Sequence, residues 1–292
     1  MLMTQNHEQE LLEKTVKRFV EEELYPHEET VDKNGEVPID LGRQIEKRSK
    51  EVGLFAANLP SNVGGGGLDY ESMHLIEREY GKTSHALHAW AARPTEILLA
   101  CEDDQIKNYL DPCVTGEKRE LFALTEPEAG SDIMSMKSNA RKDGDDWILN
   151  GSKHFISGPV MPDFAIVFAS TGEDESPRGI RKRITAFLVD RGTPGFTIRD
   201  GYKSVSHRGY NNMILEFDNC RLSNEQVLGE VDGGFAVMNT WLYATRITVA
   251  TMSVGRARRC FEYAVNYSAE RKQFGKSTVS YTHLTLPTKR IV

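Results

Sequence analysis

"FALTEPEAGSD", residues Phe122 to Asp132, sits where the chain changes its hydrophobic period, and its reading decides the fold. Upstream, apolar residues recur at helical spacing; downstream, they alternate or run in short blocks, as strands do. The stretch gathers the hydroxyls of Thr125 and Ser131 and several backbone amides around Gly130 into one turn. Such a turn can hydrogen-bond a ring edge or a phosphate without spending charge. On physics alone it is equally well a polar connection that binds nothing. Glu126 and Glu128 lack any arrangement that fixes an acid–base pair, and turn geometry or solvation is their expected role.

On the N-terminal side, Leu12, Val16, Phe19, Val20 and Leu24 mark a helix that ends before Pro26. Pro38 and Asp40 open a second helix carrying Leu41, Ile45 and Val52, with Gly53 just beyond it. A third runs through Met73, Ile76 and Tyr80. The more apolar segment from Ser84 to Cys101 is expected to bend or break at Pro94. "VGGGGLDY", Val63 to Tyr70, has no strand before it and no Lys-Ser/Thr after its last glycine, so a tight connection is expected rather than a phosphate loop. His85 and His88 lack the spacing and the intervening carboxylate of a helical zinc pair. His154 and His207 fall in the β region with no nucleophile elbow.

On the C-terminal side, Asn150-Gly151 in "DDWILNGSKHFISGP" predicts a hairpin turn. "FAIVFAS", "ITAFLVD", "GFTIRD" and "MILEFDNC" are further strands, so a β domain extends from about Phe122 to Gly229. From Gly234 the helical period returns through Met238, Trp241, Leu242, Thr245, Val249, Met252, Phe261 and Ala264, with Gly255 tolerated at modest cost. A continuous amphipathic helix from Phe235 to about Phe274 would be long enough to need packing partners. Composition agrees with a globular protein: 292 residues, 39% hydrophobic, 27% charged. A net charge of -7 and a pI near 5.7 argue against a nucleic-acid or anionic-membrane binder. The four scattered cysteines form no C-x-x-C pair, which points to a reducing, cytoplasmic setting without disulfides or zinc.

Three stretches together resemble the acyl-CoA dehydrogenase family: "ALTEPEAGSD", "NGSKHFISG" (Asn150 to Gly158) and "ERKQFGK" (Glu270 to Lys276). The resemblance covers nearly everything from Glu8 to Lys276. It implies an α+β fold with an N-terminal helical domain (1–121), a central barrel-like β domain (122–230) and the first long helix of a C-terminal bundle (231–277). It further implies FAD as cofactor. Phe122, Leu124 and Thr125 match flavin contacts, Gly130 belongs to the same turn, and Ser131 matches a hydroxyl near the FAD diphosphate and the acyl-CoA. Phe155 stands where the family usually has Trp against the isoalloxazine, and Ser157 replaces a Thr near flavin N5. Arg271, Gln273 and Phe274 match the segment that reaches the FAD of a neighbouring subunit. Thr245 and Arg246 match substrate-side positions.

The implied reaction is α,β-desaturation of an acyl-CoA thioester, with a glutamate removing the α-proton and flavin N5 receiving hydride. The implied partners are a tetrameric assembly and an electron-transferring flavoprotein. Some relatives carry the base at the position of Thr245, which cannot serve, with Arg246 as its neighbour. The base is therefore expected beyond residue 292, and the chain as written is expected to be an inactive fragment. "KSVSHRGYNNM" departs from the family's usual pattern, with Ser206 where Gly is common. Thr278 to Val292 is Thr-rich and lacks acidic residues, and is expected to be non-native sequence joined at Ser277. Acyl-CoA oxidases, nitroalkane oxidases and flavin monooxygenases share the fold, as do DNA-binding relatives, so these remain alternatives.

Overall fold

The computed structural model describes residues 6–91, 94–158, 161–177, 179–210 and 212–281. The expected non-native tail therefore lies mostly outside the described residues. Its beginning, Thr278–Ser280, is a short 3-10 turn, followed by Tyr281, whose hydroxyl donates to the Gln273 carbonyl at 2.8 Å.

The N-terminal third is helical: α1 (His7–Phe19), α2 (Glu28–Asn34), α3 (Ile39–Glu51), α4 (Tyr70–Tyr80), α5 (His85–Ala91) and α6 (Asp111–Thr115). Asn6 caps α1 by accepting from the Gln9 N–H at 2.8 Å, while the Gln9 side chain accepts from the Asn6 N–H. The helical path continues past Phe19 through a wide turn to Leu24, so Val16, Phe19, Val20 and Leu24 all reach one core with Ile45, Ile76, Tyr80 and Leu87. Pro94 does interrupt the segment after Ser84: α5 stops before it, and a 3-10 turn, Glu96–Ala100, follows. α2 and α6, each one or two turns long, were not expected, because so short a run carries no readable period. The glycine run is a packed connection. Gly66 and Gly67 donate to the carbonyls of Ala56 and Leu59 at 3.0 and 2.8 Å, and a Cβ on Gly66 would lie 2.9 Å from the Ala57 Cα.

The middle third is one strongly curled sheet of β1 (Glu120–Ala123), β2 (Asn139–Asp143), β3 (Asp146–Ser157), β4 (Phe164–Ser176), β5 (Gly179–Asp190), β6 (Phe196–Asp200), β7 (Asn212–Leu222) and β8 (Val227–Leu228). Their order is β6-β7-β3-β2-β4-β5-β8, with β1 parallel beside β4. β4 is apolar without alternation because both its faces are covered. Ala165, Val167 and Ala169 enter the core inside the curl, while Phe164, Ile166 and Phe168 enter a second core shared with the helices.

The hairpin turn is not at Asn150-Gly151. β3 runs straight through that pair with a bulge, and the turn is Gly144-Asp145, where Asp143 pairs with Asp146 and Gly144 takes φ 65°. Asn150 instead accepts the Asn219 N–H at 2.9 Å through its side chain. Gly151 is needed for close approach: at φ 144°, a Cβ there would lie 2.6 Å from the Ser138 Cα.

After the sheet comes α7 (Gly234–Glu270), 37 residues and about 55 Å at ~1.5 Å per residue. It crosses α4 at Gly255, whose missing Cβ leaves room for the Arg78 carbonyl, and at Gly81, which faces Met252. Gly255 is thus required for the crossing rather than merely tolerated. Farther along, Arg259 makes a two-point pair with Glu28 at 2.6 and 2.7 Å, its guanidinium 3.9 Å from the Tyr25 ring centroid. After α7, β9 (Lys272–Gln273) and β10 (Lys276–Ser277) close a small hairpin on Phe274-Gly275. Among the described residues, no helix is long and apolar enough to cross a membrane.

Candidate functional site

The 122–132 loop leaves β1 and is held from below by a contact between two of the quoted stretches. Lys153 of β3 donates to the Glu126 carboxylate at 2.7 Å and to the Leu124 carbonyl at 3.0 Å, and the two side chains are 0% and 4% exposed. Glu126 also accepts the N–H groups of Lys137 and Ser138, at 2.7 and 3.1 Å. Burial works to raise the Glu126 carboxyl, but the Lys153 charge and these hydrogen bonds together outweigh it, so it lies below the usual carboxylate range. Burial pushes the Lys153 amine down to about 8, which leaves it charged at neutral pH. Glu126 is therefore neither a solvated turn residue nor an acid–base group; it anchors the loop. Sequence reasoning missed Lys153, although its place in "NGSK" was a usable signal.

With its floor fixed, the loop turns its polar groups outward. The Thr125 carbonyl accepts the His154 N–H at 2.8 Å, which aligns the loop along β3. The Thr125 and Ser131 hydroxyls, and the N–H groups of Leu124, Gly130 and Ser131, carry no hydrogen bond among the described residues. A Cβ on Gly130 would meet nothing within 4 Å, so the turn is open above it. Beside the loop, Phe155 is 57% exposed at φ 56°, a left-handed conformation that non-glycine residues rarely take. This residue opens a bulge in β3 and lies stacked on Tyr202, with ring centroids 4.6 Å apart and planes at 21°. Open amides and hydroxyls next to a flat aromatic face form a donor set suited to a planar, polar-edged ring with phosphates attached.

One strand-turn further, a cavity of about 380 Å³ opens between the helical core, β1 and α7. Of the sequence-expected residues, Phe122, Ser157 and Thr245 line it. Phe122 packs against Trp241 with centroids 4.2 Å apart. The cavity was not legible in advance, and neither were its most chemically distinct lining residues, Glu120 and Trp90. Glu120 is partly buried and accepts the Thr95 N–H at 2.7 Å, and burial pushes its carboxyl above the usual range. Arg119 lies 4.0 Å over the Trp90 ring centroid and is paired with Glu46.

The remaining expected residues stand apart from the cavity lining. Arg246 is exposed on α7, 5.7 Å from the Tyr243 ring centroid. Arg271, Gln273 and Phe274 form the exposed end of the β9–β10 hairpin, with Phe274 at φ 51° and 94% exposed. His85 and His88, in contrast, both line the cavity and pack ring edge to ring face, 4.5 Å apart.

Comparison with known proteins agrees with this architecture. The N-terminal-domain model of the acyl-CoA dehydrogenases matches residues 6–117, the middle-domain model 121–220 and the C-terminal-domain model 232–287. The chain is 33% identical over 286 residues to a 3-(aryl)acrylate reductase of Clostridium sporogenes, covering 96% of this chain and 73% of that protein. It is 31% identical over 282 residues to a subunit of the caffeyl-CoA reductase-Etf complex of Acetobacterium woodii, covering 94% and 72%. Butyryl-CoA dehydrogenase from Megasphaera elsdenii is similar in structure, with a TM-score of 0.82 at 31% identity over 96% of this chain and 74% of that one. An acyl-CoA dehydrogenase from Bacillus anthracis, solved with FAD, gives 0.81 at 26% identity over 95% and 48%.

Proposed function

Because the chain belongs to the acyl-CoA dehydrogenase family, we propose that it binds FAD beside the 122–132 loop and holds an acyl-CoA thioester in the adjoining cavity for α,β-desaturation. The observation that carries this is the juxtaposition of the open loop donors, the exposed Phe155–Tyr202 face and a cavity lined by Ser157 and Thr245. FAD, when bound, supplies the acceptor for the β-hydrogen. The Leu124 N–H and the Thr125 hydroxyl would hold its ring edge, Ser131 and the Gly130 turn would hold its diphosphate, and Phe155 would pack against the ring. The cavity walls, Phe122 and Trp241 among them, exclude water from the thioester, which keeps its carbonyl polarised by the groups that bind it.

Neither Thr245 nor Arg246 accepts a proton from carbon at neutral pH, and none of the cavity's glutamates lies on α7 beside them. We therefore assign the α-proton acceptor to a glutamate that these 292 residues do not carry. The complete enzyme would work as a cytoplasmic tetramer in which Arg271, Gln273 and Phe274 reach the FAD of a neighbouring subunit, and would pass electrons to an electron-transferring flavoprotein. That partner is supported by the Etf named in the relative from Acetobacterium woodii. The four cysteines, all free thiols, fit a reducing compartment.

The test is spectroscopic. The purified chain is titrated with FAD, then with butyryl-CoA under anaerobic conditions. Saturable flavin binding followed by a thioester-dependent spectral shift without bleaching is expected. Absence of flavin binding would refute the site, and bleaching of the flavin would refute the assignment of the base.

A further inference from the structure

We propose that Glu120 reads the far end of the acyl group and selects thioesters whose acyl chain ends in an aromatic ring bearing a hydroxyl. This rests on the acyl-CoA reading of the cavity and adds to it the class of substrate.

β1 alternates. Leu121 and Ala123 point into the curl of the sheet, so Glu120 and Phe122 share the opposite face, and both line the cavity. Residues two apart on a strand are separated by ~7 Å, so Glu120 stands about that far beyond Phe122. A 3-(4-hydroxyphenyl)propanoyl chain spans a similar length between its β-carbon and its phenolic oxygen. The cavity lining also carries aromatic rings, Tyr210 and Trp241 among them, which suit an aryl group better than a flexible alkyl chain.

The polar groups at this end select among termini. The Glu120 carboxyl accepts the Thr95 N–H at 2.7 Å and a hydrogen bond from the Cys113 thiol, which leaves the acid's own O–H to meet a ligand. Both nearby cations are engaged elsewhere. Arg119 is held by Glu46 and by Trp90, and Lys118 donates to the Asn108 carbonyl at 2.9 Å. Glu96 accepts from Asn58 at 2.7 Å. A carboxylate terminus would meet two carboxyls, and the one nearby cation not paired with a carboxylate among the described residues, Lys118, is turned to the Asn108 carbonyl and the Tyr109 ring. A bare methyl or phenyl would cover Glu120 and leave its remaining hydrogen-bonding capacity unpaired, at a cost. A hydroxyl avoids both penalties. Burial favours the neutral Glu120 acid, which donates and accepts just as a hydroxyl does.

The test measures the binding of matched thioesters to the chain saturated with FAD, by calorimetry. The probes are 3-(4-hydroxyphenyl)propanoyl-CoA, 3-phenylpropanoyl-CoA and 3-(4-carboxyphenyl)propanoyl-CoA. The wild-type chain should prefer the hydroxyl over the unsubstituted ring by about tenfold or more, and bind the carboxyl probe weakest. Glu120→Leu should bring the hydroxyl-to-phenyl ratio to within about twofold, while Glu120→Gln, which still donates and accepts, should keep most of it. Equal binding of the phenyl and hydroxyphenyl probes, tightest binding of the carboxyl probe, or a preference that survives in Glu120→Leu would overturn the proposal alone. Failure of all three thioesters to bind would overturn the acyl-CoA reading as well.

Discussion

Replacing Lys153 with methionine tests whether the loop is built on a buried charge. The substitution keeps most of the side-chain volume but removes the ammonium that meets Glu126 at 2.7 Å and the Leu124 carbonyl at 3.0 Å. Breaking one half of a buried ion pair costs roughly 3–5 kcal/mol, because the surviving charge is left uncompensated. Glu126 would retain the N–H groups of Lys137 and Ser138, so the lower figure, about 3 kcal/mol at pH 7, is expected. The pH dependence discriminates further. In the wild type the folded-state pKa of Glu126 lies below its unfolded value, so its contribution is present above the unfolded pKa of ~4.3 and is lost as pH falls through the folded value. Without Lys153, burial raises that pKa, and the carboxyl then contributes most at low pH, losing its effect as pH rises. The gap between mutant and wild type should therefore shrink as pH is lowered from neutrality toward that unfolded value. Urea unfolding at several pH values measures both quantities. A loss below about 1 kcal/mol at pH 7, or a gap that does not change with pH, would refute the account of the loop as charge-anchored.

Two further outcomes follow from backbone geometry and ring packing. Gly255→Ala should destabilise the chain by roughly 1–3 kcal/mol in thermal or urea unfolding, because its Cβ would press on the Arg78 carbonyl at the α4–α7 crossing. Helix propensity alone forecasts the opposite sign, a gain of ~1 kcal/mol, so a stabilised variant would sink the packing argument. Phe155→Ala should weaken FAD binding by about tenfold in a fluorescence-quenching titration, with Phe155→Trp close to wild type. Equal affinity in all the forms would remove Phe155 from the cofactor face.

How much was legible in the sequence depended on how local the cause was. The long helix α7 was readable because helix-compatible residues run for about ten turns without a proline, although Val249 and Phe261 of its expected apolar face are exposed, and the strands with covered faces announced themselves as apolar runs. The helices α2 and α6 were not, since too few residues repeat. Asn150-Gly151 carried the strongest short-range turn signal and was still overridden. Ser138 from the neighbouring strand needs the space a Cβ would fill, and Asn219 needs the Asn150 side chain, so a tertiary demand selected the same two residues that a turn would. Gly255 misled in the other direction: its helix context suggested a small local cost, whereas the reason for it lies on α4.

The candidate site shows the same division more sharply. "TEPEAGSD" and "NGSK" carry the family resemblance, and they are joined to each other by a buried contact, Glu126 to Lys153. Their coupling follows from physics. A loop that must leave its hydroxyls and amides open to a cofactor cannot use them to hold itself in place, so its anchor must come from beneath, and a buried charge is costly unless both partners are kept. The groups lining the adjoining cavity obey no such constraint. Glu120 and Trp90 come from segments 30 residues apart, and Trp241 from α7, which meets them only after the helical core and the curled sheet have packed. Motifs of this kind therefore record the support of a cofactor site faithfully and the specificity of the adjoining cavity hardly at all. That is why the proposed choice of acyl group rests on the cavity lining beyond Phe122 rather than on any quoted stretch.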